Sequence, residues 1–234
     1  MATKKAPEGT QVIKIKPVRV SKADITIVGD TPLCVHKWSE KARKELLDTK
    51  QNKKTDKRKK PPCDPFAEFM DALYWITPEP EEKTPEAFED AIMHGAKFGF
   101  PITAIKQAAL SACYRSAQIP NQVGMKCSFF LNATEGYDDG TGMELALIDT
   151  DEPPELREDP VKVGGATKSA DLRYRPIFRK WKIRLTISLI ETGIFSMESV
   201  VNAINLGGMM NGIGEWRLER NGDFGRFHVQ LEGE

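Results

Sequence analysis

Within residues 181–190, WKIRLTISLI, positions alternate as far as Leu189: Ile183, Leu185, Ile187 and Leu189 are apolar, while Arg184, Thr186 and Ser188 between them are polar. A period of two with β-branched residues predicts a half-buried strand. VIKIKPVRV and ADITIVGDTPLCVH within 11–36 show the same alternation, and KCSFFLNA and MELALID are further strand candidates, joined by the Gly/Asp-rich turn EGYDDGTG. Helical spacing occupies the intervening stretches. Ser39 caps a short helix, EKARKELLDT. Asp64-Pro65 places an N-cap before a proline at the first helical position, ahead of Phe66, Phe69, Met70 and Leu73. A helix is expected from about 86. Pro101 opens another, in which Ile102, Ile105, Ala109, Leu110 and Cys113 share a face. Ser196 caps a helix expected to run to about Leu206, with Val200, Val201 and Ile204 inward and Gly207-Gly208 ending it in a left-handed position.

Split βα units of this kind predict an α+β fold: a ferredoxin-like, RRM-like antiparallel sheet with helices on one face. One domain over 11–234 is expected, behind a disordered tail at 1–10. It carries a basic loop at 50–63 and a helical insertion near 64–118. Residues 160–171, with Gly164-Gly165, suit a flexible hairpin or loop.

Composition changes this picture little. The chain has 234 residues, 40% hydrophobic and 29% charged, as in globular proteins. It holds no apolar run long enough for a membrane span, and MATKKAPEGT lacks the apolar core of a secretory signal. Cys34, Cys63, Cys113 and Cys127 form no CxxC, so reduced thiols in a cytoplasm are expected.

Charge distribution changes it more. The formal net charge is zero, but the charges are blocked. Residues 50–60 hold seven basic groups and one acid, residues 135–160 ten acids and one arginine, and residues 168–184 seven basic groups and one acid. The acidic 135–160 segment and the basic segments could join copies of the chain into a homo-oligomer, and an assembly or virion protein without nucleic-acid binding is the alternative functional class.

Two stretches hold candidate chemistry. In 171–184, Arg173, Arg175, Arg179 and Lys182 interleave with Tyr174, Phe178 and Trp181. Arginines neutralise phosphates and aromatic faces stack bases, a mixture suited to single-stranded nucleic acid. A basic edge strand with core aromatics explains the same residues. In 207–227, GGMMNGIGEWRLERNGDFGRF, six glycines accompany Arg217, Arg220 and Arg226. No lysine follows Lys182, which excludes a Walker-type phosphate loop, and Arg217 stands where a dinucleotide fingerprint needs its third glycine. Asn221-Gly222 predicts a type I′ hairpin between EWRLER and DFGRFHVQL, with Trp216 and Leu218 inward and Arg217 and Glu219 outward. Gly212 and Gly214 would keep the loop bare where another chain approaches.

The glycine-rich run Gly207-Gly208 through Gly214, between a last helix and a last strand, resembles that of the RAMP superfamily, the RNA-binding backbone proteins of CRISPR complexes. That resemblance implies a loop lying against an RNA backbone. The His pair common in RAMP-type endonucleases is missing, since His36, His94 and His228 are widely spaced. "ADLRYRPIFRKWKIRL", "VVNAINLGGMMNGIGEWRLERNGDFGRFHV" and "FGFPITAIKQAAL" are similar to uncharacterised bacteriophage-encoded proteins, which implies a host cytoplasm.

Cys34-Val35-His36 is the nearest approach to a nucleophile and base, and equally suits a buried thiol beside a satisfied histidine. Asp138-Asp139, Asp149 and Asp151 lack EF-hand spacing. The expectation is therefore a non-catalytic single-strand binder, RNA or DNA, with no cofactor, no metal and no membrane partner. Its nucleic-acid-binding residues are Arg173, Tyr174, Arg175, Arg179, Lys182, Gly207, Gly208, Gly212, Gly214, Arg217 and Arg220.

Overall fold

The computed structural model describes residues 17–38, 40–51, 63–163, 169–191 and 194–231. The tail, most of the basic block and Gly164-Gly165 lie outside them.

Four strands form the central antiparallel sheet: β1 (Val20–Gly29), β4 (Phe129–Ala133), β9 (Lys182–Ile190) and β10 (Phe227–Leu231), in the order β10-β1-β9-β4. Two helices complete the frame. α4 (Ile102–Arg115) lies between β1 and β4 in sequence, and α6 (Met197–Met210) between β9 and β10. The resulting β-α-β-β-α-β chain, with its strands in spatial order fourth, first, third, second, is a ferredoxin-like arrangement.

The predicted alternation sets the layers. Ile183, Leu185, Ile187 and Leu189 are at most 3% exposed and share a core with Ile25, Ile27, Phe129, Ile105, Ala109, Val200 and Ile204. Each buried Ile, Leu, Val or Phe side chain among them contributes about 1.5–3 kcal/mol. The opposite face stays polar: Lys22, Asp24, Arg184, Asn132, His228 and Gln230 are exposed. Both helices thus cover one face, and the α+β expectation holds.

The remaining elements are inserted into this frame. β2 (Leu33–Cys34), α1 (Glu40–Lys50), α2 (Pro65–Asp71), α3 (Pro85–Met93) and β3 (Gly99–Pro101) precede α4. α5 (Gln122–Ser128) follows it, where the alternation of KCSFFLNA had suggested strand from its first residue. Asn121 caps α5 through Val123 and Gly124 N–H. The helical stretch expected as an insertion at 64–118 divides accordingly: α2 and α3 lie outside the frame and α4 belongs to it. Between β4 and β9 come β5 (Gly136–Asp138), β6 (Glu144–Leu147), β7 (Glu155–Val163) and β8 (Ser169–Phe178). β7 and β8 form a long antiparallel hairpin extended by β2, and β3-β6-β5 make a third sheet.

The caps expected at Asp64 and Ser196 hold, and the one expected at Ser39 lies outside the described residues. Asp64 Oδ1 accepts from Phe66 and Ala67 N–H, and Ser196 Oγ accepts from Ser199 N–H. The C-terminal end of α6 differs from expectation. The helix passes through Gly207 and Gly208 and ends at Met210, because both glycines are packing positions. A Cβ on Gly207 would lie 2.6 Å from the Ala109 backbone nitrogen on α4, and one on Gly208 would fall on the Phe227 carbonyl of β10. The left-handed residue is Gly212, at φ +68°, whose N–H donates to Gly207 O at 3.0 Å.

Nor do residues 215–231 form the predicted hairpin. Leu218–Arg220 is one 3-10 turn, and only Phe227–Leu231 is strand. Asn221, not Gly222, takes the left-handed conformation, at φ 60°. Gly222 is needed because its Cα sits against the Trp216 carbonyl, with no room for a Cβ. Among the described residues only two backbone bonds join the two expected arms, Ile213 N–H to Gly225 O and Phe224 N–H to Trp216 O; Glu215 N–H turns instead to Cys34 O, and Leu218–Arg220 coils between them in place of a ladder.

Candidate nucleic-acid interface

Contact with Cys34 and its neighbours builds the site. Glu215 N–H donates to Cys34 O at 2.8 Å, Ile213 N–H to Gly225 O at 2.9 Å, and Gly225 N–H to Pro32 O at 2.8 Å. The glycine-rich run is thereby stitched along β2, at the edge of the β2-β8-β7 sheet. Gly214 takes φ +78°, and a Cβ there would lie 2.4 Å from Cys34 O. Close approach does explain Gly207, Gly208, Gly212 and Gly214, but the approaching chain is this protein's own α4, β2 and residues 224–227. None of the four offers bare backbone to a ligand as expected: Gly207, Gly208 and Gly212 are buried, and Gly214 is half-buried against Cys34.

The same stitching faces Trp216 and its neighbours toward the β7–β8 hairpin. An open cleft of about 370 Å³ results, lined by Val161, Arg175, Glu215, Trp216, Arg217 and Arg220. Arg175 comes from the basic aromatic segment, and Arg217 and Arg220 from the glycine-rich stretch. The two predicted stretches meet here.

Asp159 organises the cleft wall. It is 1% exposed and accepts from Arg157 Nε at 2.7 Å, from Trp216 Nε1 at 2.9 Å and from Arg175 Nη1 at 3.5 Å. A buried carboxylate needs such partners. Trp216 is held at φ 52°, a conformation rare for a bulky residue and sustained only when the surroundings demand it. Its ring N–H to Asp159 and its carbonyl, which accepts from Phe224 N–H at 3.0 Å, supply that demand. Arg157 also lies over the Phe224 ring, 5.0 Å from its centroid. Neither Asp159 nor Arg157 was among the sequence candidates. The i, i+2 alternation of Arg157, Asp159 and Val161 within ELREDPVKV was the available signal, masked by the surrounding acids.

On the floor, Arg217 donates to Glu219 Oε2 at 3.0 Å and to Gly214 O at 2.9 Å, and Arg115 meets Glu219 at 2.7 Å. Burial pushes the Glu219 carboxyl up, but the Arg217 hydrogen bond, the two arginine charges and the Ser111 hydroxyl outweigh it and hold the carboxyl below its usual range. Arg220 is exposed at the rim, with no ion-pair partner among the described residues.

Other predicted residues lie apart from the cleft. Arg173 shares the Arg175 face of β8 but pairs with Asp171 at 3.0 Å. Tyr174 points to the opposite face of the strand, near Glu158. Arg179 binds Glu155 through Nε and Nη2, and Lys182 is exposed at the start of β9. Phe178 and Trp181, counted as stacking candidates, are core residues at 0% and 2% exposure; Trp181 Nε1 donates to Thr31 O at 2.8 Å.

The acidic segment is largely engaged within the chain. Asp138 Oδ1 accepts from Gly140 and Gly142 N–H, Asp139 Oδ1 from Thr141 and Met143 N–H, and Glu144 from Ala133 N–H and Asn132 Nδ2. Burial pushes the Cys34 thiol up to about 12, against the lowering charge of Arg175. Burial first, and then Arg175, lower His36, which stays neutral. That combination does not generate a thiolate near neutral pH. Among the described residues no helix is long and apolar enough to cross a membrane.

No protein-family model matches the chain, and no curated protein is similar to it. Among solved structures, Cmr6 from Pyrococcus furiosus is similar at 11% identity, with 91% of this chain and 99% of that chain covered and a TM-score of 0.35. A superposition that loose assigns no activity.

Proposed function

We propose that the protein is a non-catalytic binder of single-stranded nucleic acid, and that the strand engages the cleft between the β7–β8 hairpin and the glycine-rich loop. One observation carries this proposal. Two arginine- and aromatic-containing stretches some forty residues apart in sequence converge on one open cleft lined by Arg175, Trp216, Arg217 and Arg220. Cations for the backbone together with planar groups for bases suit an unpaired strand, whose bases are free to leave the stack. The RAMP-like resemblance of the glycine-rich stretch agrees in ligand class, with the ligand moved from the glycines to the arginines beside them.

Phosphates meet the rim, where Arg220 has no ion-pair partner among the described residues, and the half-buried Arg173, paired with Asp171, extends that track along the hairpin. The deeper Arg175 is flanked by Asp159 and Glu215, which repel a phosphate. The raised Cys34 thiol and neutral His36 support a binding role over a nucleophilic one.

The test is anisotropy titration of labelled single-stranded RNA and DNA across a salt series. Arg220→Ala is expected to weaken binding and to flatten the dependence of log affinity on log salt by roughly 0.7 per phosphate contact removed. Arg220→Ala and Arg173→Ala that both leave affinity and slope unchanged would remove the proposal.

A further inference from the structure

We infer that the cleft is a pocket for a guanine base, read by Glu215 and Arg175 together; this rests on the single-strand proposal above.

Arg175 is a guanidinium with unused capacity. Its side chain is 11% exposed, its Nη1 only just reaches Asp159 at 3.5 Å, its Nη2 stands 3.9 Å from Glu215, and its buried Nε has no hydrogen-bond partner. Arginine has five N–H donors, and buried donors without acceptors are costly and uncommon. With Nε unsatisfied and Nη1 and Nη2 held only loosely, this guanidinium on the cleft wall can turn its Nη groups toward an acceptor from outside the chain.

Glu215 is the matching acceptor. Its backbone is pinned to β2 by the bond to Cys34 O at 2.8 Å, while its side chain stays 40% exposed on the cleft wall. At 3.9 Å from Arg175 the carboxylate is near enough to share a ligand with it and too far to be consumed by it.

The chemistry of this pair selects the ligand. A phosphate is disfavoured beside Asp159 and Glu215. A neutral base is not, and the volume of about 370 Å³ falls within the range of small-molecule sites. A carboxylate offers two adjacent acceptors and the guanidinium adds a donor beside them. Guanine alone presents the complement in one row: O6 accepting, then N1–H and the N2 amino group donating. Adenine and cytosine each present one donor group on that edge. Uracil presents one, flanked by two acceptors that repel the second carboxylate oxygen. Trp216 and Arg217 line the same cleft and supply planar groups for stacking.

The experiment uses the full chain and short single-stranded oligonucleotides with one guanine in a uridine background. Adenine, cytosine or inosine replaces that guanine in parallel, and free guanosine monophosphate serves as competitor. Guanine is expected to bind on the order of 10-fold tighter than adenine or cytosine. Inosine, which lacks only the N2 amino group, should lose part of that preference with no change to the protein. Glu215→Gln should erase the preference, read as the guanine-to-adenine affinity ratio measured within that variant, and an unfolding titration of the variant checks its fold. Equal affinity for all oligonucleotides overturns the guanine pocket and leaves single-strand binding standing. Binding of guanosine monophosphate, lost in Glu215→Gln, with no oligonucleotide binding, supports the pocket and overturns the strand as its source. Binding of neither overturns both.

Discussion

Gly208→Ala separates a helix terminator from a packing position, and the structure sets the sign of its effect. Inside a helix, exchanging glycine for alanine is favourable by about 1 kcal/mol. At Gly208 the new methyl would fall on the Phe227 carbonyl, backed by the Phe227 ring. A strand carbonyl cannot rotate aside as a long side chain can, so α6 or β10 has to move. Overpacking of this kind costs about 1–3 kcal/mol and occasionally more. A backbone clash belongs at the upper end, leaving a net loss of about 2 kcal/mol after the propensity gain. Gly124 in α5 is the internal control, since nothing lies within 4 Å of its would-be Cβ. There the propensity term stands alone, and Gly124→Ala should stabilise by about 0.5–1 kcal/mol. Urea unfolding followed by circular dichroism reads both. For a chain of this size, 2 kcal/mol corresponds to a fall in Tm of about 4–8 °C. Equal or greater stability of Gly208→Ala would refute the close α6–β10 contact and return Gly208 to a solvent-facing helix end.

Asp159→Ala removes the acceptor shared by Arg157, Arg175 and Trp216 and leaves buried donors behind, so a loss of about 3–5 kcal/mol is expected in the same unfolding assay; a loss under 1 kcal/mol would deny Asp159 its organising place. Asn221→Gly should be nearly neutral, because position 221 holds φ 60°, whereas Gly222→Ala should cost more than 1 kcal/mol through the Trp216 carbonyl; the reverse order would restore the type I′ turn. Cys34 has its thiol raised from 9.0 to about 12 on folding, so its neutral form stabilises the fold fully below pH 9, and stability should decline by about 1.4 kcal/mol per pH unit from pH 9 toward 12. Cys34→Ala should remove that slope in unfolding titrations at alkaline pH, and a slope unchanged in the variant would assign it elsewhere. Alkylation of the native protein at pH 8 should label exposed Cys63 and Cys127 and spare buried Cys34 and Cys113, as peptide mass mapping would read out.

What the sequence by itself determined was local and periodic. The alternation in 181–190 gave β9 and its inner face. Asp64-Pro65 and Ser196 gave two helix starts, since a cap is a contact among neighbours along the chain. The strand–helix–strand rhythm at both ends gave the α+β class. Where long-range contacts compete with local preference, tertiary structure decided. Gly207-Gly208 looks like a helix stop, but α4 and β10 approach so closely that glycine is needed inside the helix. Asn221-Gly222 looks like a hairpin turn, but Glu215 and Gly225 give their N–H groups to Cys34 O and Pro32 O beside β2, and Leu218–Arg220 coils into a 3-10 turn where the ladder would have run. Phe178 and Trp181 alternate with cations as stacking residues would, and are buried because Phe98 packs on the Phe178 ring and Phe227 of β10 on the Trp181 ring. Asp159 shows the limit most plainly. Among ten acids in 135–160 only its i, i+2 alternation with Arg157 and Val161 marks it, because its role comes from Arg175, sixteen residues later, and Trp216, fifty-seven residues later. The cleft itself is of that kind: each lining residue is legible as a type, and their convergence exists only once the glycine-rich run is laid along β2.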